Sequence, residues 1–469
     1  MQAQSTPTEA VSPELIDALV QALGQGTVLL GDDVTQRGAG IWRSDNIQAQ
    51  VLVRPQTTEE VSIAMRLCHE FDQPVITHGG LTGLVESALT TAADVIISTE
   101  RMQAIEAINP LERTMVVQSG AVLQTIQEAA EAEGLMFPLD LGARGSCTIG
   151  GNISTNAGGN RVIRYGMTRD MVLGLEAVLA DGTIVSSMNQ MIKNNAGYDL
   201  KQLFIGTEGT LGIVTRAVLR CRELVRSKPT ALVGVPGFSE LARFLKVADR
   251  GLGGCLSAFE VMWQNYFRLV TQPPAQGTAP MSSDYPFYVL VEALGADDET
   301  LQAMLAEAME QGLVSDAVMA QSEAQRLQLW GLRDDVEQTF QHGPVFVFDV
   351  SLRIPYMEGY VNEVNQRLER HYGQVINYTL GHMGDGNLHF VVHVGSGDVA
   401  DRRKVESCVY EPLRDIGGSV SAEHGVGLEK KPYLGISRSD PEVTLMRHLK
   451  RSLDPKNLLN PGKIFSVGV

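Results

Sequence analysis

The chain has 469 residues, 44% of them hydrophobic and 20% charged, the balance of a globular protein with roughly two to three domains of about 100 to 200 residues each. Its formal net charge of −17 excludes general binding to nucleic acid or anionic lipid. No apolar run reaches the roughly 18 residues of a membrane span, Met1 to Ser12 lacks the basic and apolar regions of a secretory signal, and the scattered Cys68, Cys147, Cys221, Cys255 and Cys408 form neither a disulfide framework nor a thiolate zinc site. A cytoplasmic protein is the expectation.

A helix is expected over Pro13 to Leu23. Val51-Leu52-Val53 then reads as a strand, Thr57 with Glu60 fits a capping box, and Val61, Ala64, Met65 and Cys68 fall on one helical face. Val75-Ile76-Thr77 is the next strand, which makes Val51 to Thr77 a β-α-β unit. The loop after it, Gly79-Gly80-Leu81-Thr82-Gly83, can turn several backbone N–H groups toward an anion, and a diphosphate suits it. A tight surface turn is the competing reading.

Pro138 to Gly166 holds seven glycines and reads as a long loop lying against something flat or phosphorylated. Leu175 to Ala180 and Thr183 to Ser187 flank Asp181-Gly182, a hairpin signal. The glycines of Gly206 to Gly212 have the wrong spacing for a dinucleotide fingerprint and lead into a β-branched stretch. A nicotinamide cofactor is therefore not expected.

From about Arg226 the pattern changes. Strands are expected over Ala231 to Val235, Phe287 to Leu294 and Val345 to Leu352, with helices over Glu299 to Gln311 and Tyr356 to His371, so antiparallel sheet covered by helices should follow.

Two short stretches concentrate the chemistry, Gly381 to His389 and Ser421 to Gly427. On a straight helix His382 and His389 would be about 10 Å apart in rise, too far to share an ion. A two-residue turn at Asp385-Gly386 would instead set them directly opposite, with Cβ atoms about 5 Å apart. Two strand histidines facing solvent is the plain alternative, and Glu423-His424 beside Gly425 and Gly427 weighs against it. Two histidines and a carboxylate make an open site for a divalent ion, zinc first, with manganese or iron as alternatives. Asp385 would make local hydrogen bonds or support that site.

His78 to Leu84, Gly150 to Gly159 and Gly206 to Val214 resemble the FAD-binding domain of the vanillyl-alcohol oxidase and p-cresol methylhydroxylase flavoproteins. Asp454 to Lys463 resembles that superfamily's C-terminal return to the flavin. With the histidine motifs, Val51 to Phe465 resembles the FAD-dependent D-2-hydroxy acid dehydrogenases, the group acting on D-lactate, glycolate and D-2-hydroxyglutarate. The resemblance implies an α+β fold with an FAD-binding domain over 1–225, its core from about 45, a ferredoxin-like cap over 226–439, and a returning segment over 440–469.

It further implies that Thr77, His78, Gly79, Gly80, Leu81, Thr82, Gly83 and Leu84 cradle the diphosphate, while Ser146, Gly150, Gly151, Asn152, Thr155 and Asn156 approach the isoalloxazine and its linker. Glu208, Gly209 and Ile213 would lie on the cofactor, with Asn460 near the ring. Some relatives tether FAD through a histidine where this chain has Leu81, so FAD should be non-covalent; Cys147 keeps a structural role. His382, His389 and Glu423 would be the metal ligands and His424 the base. The metal would stabilise the developing alkoxide of a 2-hydroxy acid, His424 would accept the hydroxyl proton, and hydride would pass from C2 to flavin N5.

Arg333 matches the family's substrate-carboxylate arginine, a solvated helix arginine being the alternative. Three positions depart from the D-2-hydroxyglutarate branch: Glu337 replaces a threonine, Val347 a lysine and Val391 an asparagine. Those losses favour a D-2-hydroxy acid with a small or apolar side chain, lactate-like or mandelate-like, and Glu337 would repel a distal carboxylate if it points inward. An electron-transfer flavoprotein, quinone or cytochrome is the expected acceptor. An oxidase using O₂, a glycolate or D-2-hydroxyglutarate dehydrogenase and a flavin- and metal-binding sensor without turnover are the alternatives, and homodimer formation is left open.

Overall fold

The computed structural model describes residues 10–468; most of the stretch Met1 to Ser12 weighed above as a signal lies outside that range. The helix Pro13–Leu23 forms as its pattern predicts, burying Leu15 and Leu19. Four short apolar strands follow, β1 (Val28–Leu30), β2 (Val51–Val53), β3 (Val75–His78) and β4 (Val95–Ser98), in the order β1-β2-β4-β3. β2 and β3 both run parallel to β4, so the β-α-β unit read from Val51 to Thr77 exists but its strands are not neighbours. Val95, Ile96 and Ile97 are fully buried. A strand apolar on both faces takes a central place in a parallel sheet.

The connecting helix Thr58–Glu70 is capped by Thr57, whose Oγ1 accepts from Glu60 N, and it buries Val61, Ala64, Met65 and Cys68. The reciprocal bond differs from the capping box. Glu60 accepts from Gln56 N rather than Thr57 N, which satisfies a donor one residue further out.

β5 (Ile105–Asn109), β6 (Thr114–Gln118), β7 (Leu135–Met136), β8 (Val172–Val178), β9 (Ile184–Ser187), β10 (Ile213–Arg220) and β11 (Arg222–Glu223) come next. They form an antiparallel sheet β5-β6-β10-β8-β9 and a ribbon of β7 with β11. β8 and β9 make the hairpin announced by Asp181-Gly182. The glycine-rich stretch Pro138 to Gly166 is not one long loop. Ile149–Thr155 is a helix ended by Asn156 in the left-handed conformation, and Val162–Tyr165 is a further turn. Gly150 and Gly151 fall in the first turn of that helix, and the close approach of Ser119 to Gly150 leaves no room for a Cβ there despite glycine's poor helix propensity.

The remaining strands are β12 (Thr230–Val235), β13 (Leu256–Trp263), β14 (Phe287–Ala293), β15 (Asp316–Met319), β16 (Phe346–Ser351), β17 (Ile376–His382) and β18 (Asn387–His393). They build one antiparallel sheet, β15-β12-β14-β13-β17-β18-β16. One face packs on the helices Phe238–Gly251, Asp298–Glu310, Met357–Tyr372 and Val399–Tyr410. The other carries Met262, Leu290, Leu380 and Val391 beneath the helices Gln264–Thr271 and Glu323–Asp334.

The helix Asp440–Leu453 leaves this sheet and sets Leu449 and Leu453 against the core of the second sheet. Beyond it, Leu459 bridges to Val75, and Asn460 Oδ1 accepts from Thr77 N at 2.9 Å. The C-terminal segment thus returns to the end of β3, where the first glycine loop begins.

Candidate active site

Strand register assembles the site. Glu260 on β13 lies directly opposite His382 on β17, and His389 on β18 lies opposite both Leu380 on β17 and Asp349 on β16. Partners across a ladder share a face, as do residues two apart along a strand. Glu260, His382, His389 and Asp349 therefore form one polar row across an apolar sheet face.

The turn between β17 and β18 is not the two-residue turn expected at Asp385-Gly386. Met383–Asp385 makes a 3₁₀ turn and Gly386 closes it at φ +90, a conformation open to glycine without a Cβ clash. The register moves by two residues, so His389 faces Leu380 rather than His382. The histidines still meet as diagonal neighbours, with ring centroids 5.2 Å apart. Asp385 accepts from Asn387 N at 3.3 Å, the local bond an Asp-Gly turn favours.

Ser421 to Gly427 is hung on two buried carboxylates. Asp349 Oδ2 accepts from the N–H groups of Ala422, Glu423 and His424 at 3.1, 2.9 and 3.0 Å, with Lys430 Nζ 3.4 Å away, while Oδ1 accepts from Asn387 Nδ2 at 2.7 Å. Glu208 accepts from Val426 N at 2.7 Å and Gly427 N at 2.9 Å. The carboxylate expected to lie on a cofactor thus also holds the loop Ser421 to Gly427. Glu423 Oε1 accepts from Gly159 N, and a Cβ on Gly158 would fall 2.5 Å from that oxygen. Glycine at 158 is what lets the two segments touch.

Two groups of three residues bring ligand atoms within 4.8 Å of one another: His382, His389 and Glu423, or Asp349, His389 and His424. Hydrogen bonding separates them. Both oxygens of Asp349 are already taken by donors, whereas the only hydrogen bond to Glu423 among the described residues uses one oxygen. The first group is the better cation site. Burial opposes a charge on His382, but the Glu260 and Glu423 carboxylates outweigh it and raise its pKa to about 9. Burial lifts Asp385 to about 7. This corner therefore favours added positive charge, as a divalent cation would supply. Burial lowers His389 and His424 despite the nearby Asp349, which keeps both imidazoles neutral, the form required of a ligand and of a base.

His424 Nδ1 lies 3.9 Å from Asp349 Oδ2, and its ring stacks on His389 with centroids 6.0 Å apart. Arg333 is 7% exposed and not a solvated helix residue. Its Nε donates to Glu260 Oε2 at 2.7 Å and its Nη2 lies 3.2 Å from His382 Nε2. Val347 and Val391 stand directly opposite each other, one row behind Asp349 and His389 on the same face. Glu337 does not join them. It is solvent-exposed on the 3₁₀ turn Val336–His342, so the repulsion foreseen for an inward carboxylate does not arise.

Glu260, Asp349 and Lys430 were not foreseen, and Gly159 only as the end of the segment Gly150 to Gly159. A signal existed for two of them. Glu260 and Asp349 are single acids inside the apolar strands β13 and β16, and an acid buried there must find partners.

The family description "FAD linked oxidases, C-terminal domain" matches residues 224–464, and "FAD binding domain" matches residues 49–187. The chain belongs to the FAD-linked oxidase family. It is 38% identical over 466 residues to the mitochondrial D-2-hydroxyglutarate dehydrogenase of Bos taurus, covering 98% of this chain and 85% of that protein. It is 40% identical over 421 residues to the D-2-hydroxyglutarate dehydrogenase of Xanthomonas citri pv. viticola, covering 88% of each. Among solved structures, p-cresol methylhydroxylase superposes with a TM-score of 0.77 at 15% identity, over 97% of this chain and 98% of that one. The 4-ethylphenol oxidase from Gulosibacter chungangensis gives 0.74 at 17%, over 98% and 99%. The fold is that of the p-cresol methylhydroxylase flavoproteins.

The segments expected to hold FAD carry open donors. Among the described residues, no backbone N–H from Gly79 to Leu84 donates to a backbone acceptor, a run of open donors that fits a diphosphate. The buried hydroxyls of Thr77, Ser119 and Thr148, on the segments that meet there, have no partner either. FAD fits. Several expected contacts are nonetheless internal. The His78 ring is 2% exposed and bonds Ala88 O at 2.9 Å, so only its backbone can face a ligand. Thr155 bonds Gly151 O, Asn156 caps its helix and accepts from Arg169 N, and Ile213 is buried in the core. Asn460 joins Thr77 N to Glu208 O, beside Gly209. Asn152 is buried against Cys147, while Ser146 is exposed.

Proposed function

We propose that this flavoprotein oxidises a D-2-hydroxy acid to the 2-oxo acid at a site built from His382, His389, Glu423 and His424. The carrying observation is the meeting of these side chains with Gly158 and Gly159, so that the metal-ligand carboxylate touches the flavin-binding segment. When bound, FAD supplies the electron acceptor and a divalent metal, zinc by preference, supplies the Lewis acid. His389 offers a neutral imidazole nitrogen, His382 a ring that must give up its extra proton when the cation binds, and Glu423 its second oxygen. His424 takes the hydroxyl proton, and Asp349 holds its backbone in place. Arg333 keeps Nη1, with Asp334 3.7 Å away, for the substrate carboxylate. Electrons leave for an acceptor such as an electron-transfer flavoprotein, a quinone or a cytochrome.

The paired Val347 and Val391 give the wall behind His389 an apolar surface, which suits a lactate-like or mandelate-like side chain. The names of the relatives favour a second reading, D-2-hydroxyglutarate. The double variant Val347→Lys/Val391→Asn separates the two. If the valines set specificity, kcat/KM for D-2-hydroxyglutarate should rise at least about tenfold relative to D-lactate, roughly 1.4 kcal/mol of discrimination. A wild-type protein already preferring D-2-hydroxyglutarate over D-lactate and D-mandelate would establish the second reading.

A further inference from the structure

One buried carboxylate touches both the metal side and the substrate side of the proposed site. Glu260 is 1% exposed at the middle of β13. Its Oε1 is 2.8 Å from His382 Nδ1 and its Oε2 accepts from Arg333 Nε at 2.7 Å. Both partners are buried with it. The contact at Oε1 fixes the His382 proton on Nδ1 and leaves Nε2 as the lone-pair nitrogen, which faces Arg333 Nη2 at 3.2 Å, so Glu260 sets the orientation of the ring and of the guanidinium beside it. The contact at Oε2 fixes the plane of the Arg333 guanidinium.

A second acid provides a comparison from the same sheet. Glu292 on β14 is fully buried and accepts from Arg326 Nη1 at 2.8 Å and Trp330 Nε1 at 3.1 Å. Arg326, Trp330 and Arg333 recur at helical spacing, so one face of the helix Glu323–Asp334 is docked on two sheet carboxylates. Glu292 anchors the helix without touching any of the proposed ligands. Only Glu260 also holds one.

We infer that Glu260 is a positioning residue that couples metal affinity to hydroxy-acid binding, by orienting His382 and Arg333 with the two oxygens of a single carboxylate. The inference rests on the ligand assignment proposed above. Carboxylate partners of metal-ligating histidines typically change metal affinity by about 10- to 100-fold when lost. A shared partner predicts more than that, because one substitution should weaken two kinds of binding.

The test is Zn²⁺ affinity, measured by chelator competition on the FAD-loaded protein, together with KM and kcat for D-lactate. Glu260→Gln retains the volume but offers a single carbonyl oxygen, and it should weaken Zn²⁺ at least about tenfold and raise KM. Glu260→Asp keeps the charge but is a methylene too short to serve both partners, and it should show a smaller loss of both. Glu292→Gln, equally buried, should lower thermal stability and leave Zn²⁺ affinity unchanged. A purely structural role for Glu260 would reduce the active fraction without moving Zn²⁺ affinity or KM, and that result overturns the inference. Wild-type Zn²⁺ affinity in a folded Glu260→Asp protein overturns it too, should the Gln variant fail to fold. His382→Ala distinguishes the two levels. If it binds Zn²⁺ like wild type, the ligand assignment falls and the coupling with it; if it loses Zn²⁺ while Glu260→Gln does not, the role of Glu260 alone falls.

Discussion

His424 combines two conditions that a base in this position needs. Burial lowers its proton affinity, so the ring is neutral near pH 7, and the bond from its backbone N–H to Asp349 holds it beside His389. His424→Ala should keep FAD and lose anaerobic flavin reduction by about 10²- to 10⁴-fold, the usual contribution of a positioned base. A variant reduced at the wild-type rate would remove His424 from that role. His382, His389, Glu423 and His424 were legible as histidines and a carboxylate among glycines, and their separate roles came from resemblance. Glu260 was not legible in the same way. Its bond to His382 spans 122 positions and depends on β13 pairing with β17, which no local pattern encodes.

At the scale of elements, several helices and strands could be read from periodicity and caps, as Pro13–Leu23 and Met357–Tyr372 illustrate, while others, among them Phe238–Gly251, Glu323–Asp334 and Asp440–Leu453, were not. Two readings from local rules differ from the structure for separate reasons: Gly386 takes the positive φ expected of it, but at the end of a longer turn, while close packing puts Gly150 in a helix. Asp385-Gly386 implied a tight turn, but a 3₁₀ turn was formed with Gly386 at its end; Pro138 to Gly166 implied a loop, but a helix packs closely on Ser119. The strand β3 carries a further consequence. His78 ends it, and burial holds the ring down to about 4 against an ordinary 6.5. Between those values the unfolded chain binds a proton that the folded chain does not, so this contribution is complete above pH 6.5 and is lost as pH falls toward 4. Over that window it amounts to about 3 kcal/mol. Urea unfolding at pH 7.5 and pH 5 should therefore show wild type losing about 2 kcal/mol more than His78→Gln on acidification. Equal losses would contradict the assignment.

Across the whole molecule, a change of pattern near Arg226 was expected from the sequence and a return of the C-terminus from resemblance. The relation between these parts was not. Glu423 reaching Gly159, Glu208 holding Val426 and Gly427, and Asn460 joining Thr77 to Glu208 are contacts between segments hundreds of positions apart. Through them the loop Ser421 to Gly427 is bonded to Gly159 and Glu208 as well as to Asp349 of its own sheet. The central claim is that this junction oxidises D-2-hydroxy acids with help from a metal. Anaerobic stopped-flow mixing of the FAD-loaded protein with D- and L-2-hydroxy acids, before and after chelation, tests it most directly by following flavin absorbance. Bleaching by D-lactate or D-mandelate, none by the L-acids, and loss of bleaching on chelation with FAD still bound is the predicted result. Equal bleaching by both enantiomers, or full-rate bleaching in a verified metal-free sample, would contradict it.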